Sequence, residues 1–101
     1  MLVVMHGSLL GMTYAINDEA LIVGRTANLD IPIDDDNVSR RHAEFRLGDG
    51  DFQVVDVGSL NGTYVNREPV DVATLGNGDE VQIGKYRLQF LTGGEQPEGD
   101  S

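Results

Sequence analysis

The stretch "EVQIGKYRLQFL" (residues 80–91) is two short runs rich in β-branched and aromatic residues, parted by Gly84 and Lys85. In its second half apolar and polar residues alternate, so that Tyr86, Leu88 and Phe90 face one way while Arg87 and Gln89 face the other. That two-residue period is what a strand with one buried face requires. The same pattern runs outward through the chain. "LVVM" (2–5), "TYAI" (13–16), "ALIV" (20–23), "AEFR" (43–46), "FQVVDV" (52–57) and "TYVN" (63–66) are further runs of this kind. Between them "HGSLLG", "GDGD", "NG" and "GNGD" supply Gly, Asn and Asp punctuation. "FQVVDV" alternates less cleanly, which fits a strand with neighbours on both sides. No segment keeps a 3.6-residue period over three turns, no internal repeat is visible, and thirteen glycines at this spacing argue for an all-β sandwich.

A chain of 101 residues makes one small domain and buries well over half of its unfolded surface, so a single core can hold it. The domain is expected over residues 1–92, with "GGEQPEGDS" (93–101) as a flexible acidic tail. The absence of cysteine excludes disulfides and thiolate zinc sites, and His6 and His42 are too few for a histidine metal cluster. No apolar run approaches the roughly 18 residues that span a bilayer, and "MLVVMHG" is too short for a signal peptide. The expectation is a soluble protein of a reducing, cytoplasmic compartment. Seven Lys or Arg against seventeen Asp or Glu give a formal charge of −10, a field that repels nucleic acid and anionic membrane. An anion bound here has to be held by a local cluster, which is feasible because salt screens exposed charges beyond about 8–10 Å.

Three segments place polar residues where strands give way to loops: "VGRTANLDIPI" (23–33), "NVSRRHAEF" (37–45) and "VDVGSLNGTYVN" (55–66). Together they offer Arg25, Ser39, Arg40, Arg41, Ser59, Asn61 and Thr63. Arg25 follows a glycine at the end of an apolar run, and a guanidinium fork there suits a phosphate. Taken alone it is also an ordinary surface arginine. Ser39 can give a hydroxyl and a backbone N–H to an oxyanion, with Arg40 adding charge. A Ser39–His42 nucleophile is the competing reading, but no orienting acid or oxyanion hole stands at a recognisable spacing, and His42 reads as a structural histidine bonding loop backbone. Asn61-Gly62 signals a tight turn with φ above zero, and the Asn61 amide can both donate to and accept from a peptide backbone. Asp34, Asp35 and Asp36 invite a calcium reading, but consecutive carboxylates lack the spaced pattern of a calcium loop and read as a solvated acidic turn. Asp30 and Asp34 would partly neutralise nearby arginines. "NGT" matches a glycosylation acceptor by chance, there being no export signal.

In combination these residues resemble the forkhead-associated (FHA) domain. The resemblance covers residues 20 to 91 and, loosely, the first two strands. It runs in order through "GR" (24–25), "DIPIDD" (30–35), "VSRRHAEF" (38–45), "DVGSLNGTYVN" (56–66) and "LGNGDEVQIGKYRLQF" (75–90). It implies an all-β FHA-type sandwich of two twisted, mainly antiparallel sheets, about eleven strands in all, whose end loops bind phosphothreonine peptides. Position by position, it implies Arg25 and Ser39 as phosphate ligands and Arg40 as a contact to phosphate or peptide. It further implies Asn61 as the holder of the peptide backbone and Asn37 as a selector of the third residue after the phosphothreonine. Gly24, His42 and Gly62 resemble the residues that shape the loops. Leu60 departs from the Ser or Thr common before the Asn-Gly and removes one hydroxyl donor; a hydrogen bond to a charged group is worth about 1.5–3 kcal/mol.

Within that family the sequence is more specifically similar to the small actinobacterial FHA regulators of 2-oxoglutarate metabolism. It implies a non-enzymatic, cofactor-free module downstream of Ser/Thr kinases, acting on 2-oxoglutarate dehydrogenase or glutamate dehydrogenase. Those regulators carry an N-terminal segment whose phosphothreonine their own FHA domain captures. This sequence opens on a strand, so the expectation is either that such a segment was removed or that the module is a plain adaptor. Two alternatives stay open: phospho-independent docking on a metabolic enzyme, and an FHA unit of a larger signalling protein.

Overall fold

The computed structural model describes residues 2–6, 11–16, 20–48 and 50–91. The tail expected over 93–101 lies outside them. Eleven strands form two layers, and among the described residues there is no helix. In chain order they are β1 (Leu2–His6), β2 (Thr13–Tyr14), β3 (Leu21–Gly24), β4 (Ile31–Pro32), β5 (Ala43–Leu47) and β6 (Phe52–Asp56). Then follow β7 (Thr63–Val65), β8 (Glu68–Val70), β9 (Val72–Leu75), β10 (Glu80–Ile83) and β11 (Tyr86–Phe90). One sheet runs β2-β1-β11-β10-β7-β8 and the other β4-β3-β5-β6-β9. The β3–β4 pair is parallel and the other pairs are antiparallel.

The alternation of 86–90 is realised: Tyr86, Leu88 and Phe90 are buried and Arg87 is exposed. Leu2 and Val4 of β1 and Val81 and Ile83 of β10 extend the same inner face. They meet Val23, Ala43, Phe45 and Val54 of the other sheet, all fully buried. Phe52 of β6 and Phe90 of β11 bridge the layers with ring centroids 5.1 Å apart and planes tilted by 49°, a favourable offset geometry. Truncating a core phenylalanine such as Phe45 removes about 3–5 kcal/mol.

Three strands were not visible as local pattern. β4 is two residues long and contains Pro32, β8 contains Pro69 at a sheet edge, and β9 alternates only weakly. Strands this short take their pairing from a neighbour rather than from their own period. The run "TYVN" also ends differently. Asn66 and Arg67 have φ of 50° and 74° and make the two-residue turn between β7 and β8, the paired positive φ of a type I′ hairpin. Asn66 is stapled to β10, donating its N–H to the Glu80 carbonyl at 2.8 Å and accepting the Glu80 N–H on Oδ1 at 3.0 Å. Asn61-Gly62, by contrast, is not such a hairpin: of the two residues Gly62 alone has positive φ, 93°, and the pair lies in the longer loop 57–62.

Antiparallel register brings the end of β3, the start of β5, the end of β6 and the start of β7 to one end of the sandwich. Loops 25–30, 33–42 and 57–62 therefore emerge together there.

Candidate functional site

The loops are fastened backbone to backbone. Arg25 N–H donates to the Ser39 carbonyl at 3.0 Å, His42 N–H to the Val23 carbonyl at 2.8 Å, and Ile33 N–H to the Gly24 carbonyl at 2.7 Å. Position 24 has no room for a side chain, since a Cβ there would lie 2.0 Å from the Arg40 carbonyl oxygen. Glycine thus permits the contact that sets Arg25 beside Ser39 and Arg40. Within the second loop Ile33 and Val38 are buried. Val38 points into the core, which fixes Asn37 and Ser39 on either side of it.

Asp35 ties this loop down. One carboxylate oxygen accepts the Asn37 N–H at 2.9 Å and the other the Lys85 N–H at 3.0 Å. These two backbone bonds, Asn37 first and Lys85 second, hold its pKa below the ordinary carboxylate value. Asp35 is therefore a loop staple onto the β10–β11 turn, and among the described residues no cluster of His, Cys, Asp or Glu is placed to hold a metal ion. Asp30 makes no ion pair with an arginine among the described residues; its carboxylate accepts the Ile22 N–H at 2.9 Å. Nor does Asp34, because Arg46–Glu44, at 3.1 Å, is the one ion pair among the described residues.

His42 is fully buried and links two loops. The Ser39 backbone N–H donates to Nδ1 at 3.2 Å, and Nε2 lies 2.8 Å from the Gly62 carbonyl oxygen. A backbone amide can only donate, so Nδ1 accepts and the ring proton sits on Nε2, directed at Gly62. Neither ring nitrogen is left to take a proton from the Ser39 hydroxyl. That hydroxyl instead accepts the Leu60 N–H at 3.0 Å.

The third loop is organised by Asp56, which sequence reasoning passed over. Its Oδ1 accepts the N–H groups of Gly58 and Ser59 at 2.8 and 2.9 Å. Its Oδ2 accepts the hydroxyls of Ser59 and of buried Thr63, the latter at 2.9 Å. Burial pushes the Asp56 pKa up, but the Ser59, Gly58 and Thr63 bonds outweigh it and the net shift is downward. The Ser59 hydroxyl in turn accepts the Gly62 N–H at 3.0 Å. Ser59 and Thr63 thus belong to the loop's scaffold. The available signal was Asp followed by Ser three positions on, at the exit of a strand.

Asn61 closes the site by donating an Nδ2 hydrogen to the Asn37 carbonyl at 2.9 Å. The result is an open depression of about 260 Å³ whose walls include Arg25, Asn37, Ser39, Arg40, Leu60 and Asn61. Gly24, His42 and Gly62 sit in the framework behind it. The guanidinium groups of Arg25 and Arg40 are exposed, with no carboxylate in ion-pair range among the described residues. Leu60 is 87% exposed on the rim. Two cations, a hydroxyl and an amide converge on one cleft whose chemistry suits a phosphate ester attached to a peptide.

The model of the FHA domain matches residues 21–84. The glycogen accumulation regulator GarA of Mycolicibacterium smegmatis is 59% identical over 101 residues, which are all of this chain and 64% of that protein. The oxoglutarate dehydrogenase inhibitor of Corynebacterium jeikeium is 53% identical over 96 residues, 95% of this chain and 67% of that one. A solved structure from a study of phosphothreonine-dependent FHA domain interactions superposes with a TM-score of 0.82 at 32% identity, covering 95% of both chains. The chain thus spans less than two thirds of the length of the GarA protein it matches.

Proposed function

This chain belongs to the FHA domain family, and from that membership we propose that it is a phosphothreonine-peptide reader acting downstream of Ser/Thr kinases. The single observation that carries the reading is the convergence of Arg25, Ser39, Arg40 and Asn61 on one depression, with both guanidinium groups free of carboxylate partners among the described residues. A phosphate brings a charge of about −1.5 to −2 and three acceptor oxygens. Arg25 supplies the fork, Ser39 a hydroxyl donor and Arg40 further charge. Asn61, whose amide oxygen has no protein partner among the described residues, takes the peptide backbone. Gly24, His42 and Gly62 hold these groups in place, and Asn37 contributes to selecting a neighbouring side chain.

The module works by binding and not by catalysis. The relatives' names, a regulator and an inhibitor, support this, as does the committed state of both His42 nitrogens. The partner proposed is a cytoplasmic metabolic enzyme of the 2-oxoglutarate dehydrogenase kind, on the strength of the inhibitor's name. Among the described residues no helix is long and apolar enough to cross a membrane. Titration of a phosphothreonine peptide into wild type and Arg25→Ala tests the site: the variant should bind at least about tenfold more weakly. Equal affinity would sink the reading. Capture of the dehydrogenase before and after phosphatase treatment tests the partner's mode of docking. Loss on treatment is expected, and undiminished capture would favour phospho-independent docking, the reading to which the exposed Leu60 side chain lends itself.

A further inference from the structure

The depression that gathers Arg25, Ser39 and Arg40 continues past Asn61. Beyond Leu60 and Asn61, which line both sides, lies a second groove of about 350 Å³. It runs between the loop 57–62 and Asp71, the single residue at which the chain leaves β8 of one sheet for β9 of the other.

The two halves carry opposite charge. The first has Arg25 and Arg40 against Asp36, whereas the second has Asp56 and Asp71 and no cation in its lining. The two acids differ in what they can still do. Asp56 already accepts four hydrogen bonds, which fill the lone pairs of its carboxylate. The backbone carbonyl of Asp71 accepts the Asp56 N–H at 2.8 Å. Its exposed carboxylate has no hydrogen bond or ion pair among the described residues. The rest of the groove wall is mixed, with Leu60, Pro69 and Val70 offering apolar contacts beside the polar Ser59, Asn61 and Thr63.

A groove that offers a few apolar contacts beside an uncommitted carboxylate, with no cation in its lining, matches a side chain with a hydrocarbon stem and a cationic tip. A wholly apolar side chain would desolvate Asp71 without pairing it, and an acidic one would meet two like charges. Building on the phosphothreonine reading, we propose that this groove binds a lysine or arginine lying a few residues from the phosphothreonine in the same partner segment. The stem lies along Leu60 and Val70 and the cation meets Asp71. The ligand is thus a segment with a dianion and a cation spaced to match the two halves of the cleft.

The test is a positional scan in which Lys, Ala or Glu replaces each residue within about four of the phosphothreonine, read by fluorescence anisotropy. At one position wild type should prefer Lys over Glu by about threefold to tenfold, as exposed ion pairs and like-charge contacts allow. Raising the salt should shrink that ratio, and Asp71→Asn should bring it towards one. Equal binding of Lys, Ala and Glu peptides at every position, with phosphate dependence intact, would overturn the groove alone. A ratio that Asp71→Asn leaves unchanged would also overturn it. Failure of every phosphopeptide to bind would overturn the phosphothreonine reading and the groove with it.

Discussion

His42 is where fold and site share a single side chain. Its Nδ1 satisfies the Ser39 N–H and its Nε2 satisfies the Gly62 carbonyl, deep in the interior. His42→Ala orphans both groups at about 1–3 kcal/mol each and leaves a cavity besides. For a domain of this size the melting temperature should fall by at least roughly 8 °C, and a thermal melt within a degree or two of wild type would contradict this account of the residue. Arg25 stands at the opposite extreme. It is exposed and its side chain has no protein partner among the described residues, so Arg25→Lys should leave stability within about ±0.5 kcal/mol of wild type. The same substitution keeps the charge but loses the fork, so it should recover only part of the phosphopeptide affinity that alanine loses. Titration of the two variants side by side checks the order. Residues of the Arg25 kind were legible from sequence because polar groups at strand ends have few structural uses. Asp56 was not, because an aspartate that ends a strand looks like any solvated turn acid until the four donors around it are seen.

At the scale of elements, the loops are pinned by carboxylates, and this gives a sign to the pH dependence. Asp35 and Asp56 both have folded pKa values held below their ordinary value. Unfolded, each titrates near about 3.9, so around and below that pH the unfolded chain binds more protons. Their stabilisation is fully present above the unfolded value and is lost as pH falls through the depressed folded values. Urea midpoints should therefore drop steeply below about pH 4, and Asp56→Asn should be less stable at neutral pH while showing a shallower acid slope. A parallel slope in the variant would remove Asp56 from the explanation. The β7–β8 hairpin gives a second prediction. Arg67 carries a φ of 74° without being glycine, a conformation costing about 1 kcal/mol. Arg67→Gly should raise the melting temperature by a few degrees, and a lowered one would mean that the Arg67 side chain contributes more than its strain costs. Strand existence was legible wherever apolar residues kept a period of two, as in 86–90. It failed at β4, β8 and β9, where two to four residues cannot express a period and the neighbouring strand decides the register.

For the whole molecule the governing quantity is a charge of −10 around a candidate site whose two guanidinium groups have no carboxylate partner among the described residues. The global field opposes an anionic ligand while the local cluster favours it, and the two respond differently to salt because the local contacts are shorter than the screening length. A phosphopeptide flanked by acidic residues should thus lose less affinity on raising salt from 50 to 300 mM than one flanked by basic residues. The family, and the residues gathered at the candidate site, could be read from the order of five motifs, because a site made of loop ends would leave its residues in the sequence as fixed intervals. The continuation of the cleft to Asp71 could not be read, since it depends on how a corner between two sheets packs beside a loop. The most direct measurement is a calorimetric titration with matched pools of phosphothreonine, phosphoserine and unphosphorylated peptides. Heat confined to the phosphothreonine pool is the predicted result. Silence in all three pools, or equal binding with and without phosphate, would contradict the claim that this cleft reads phosphothreonine.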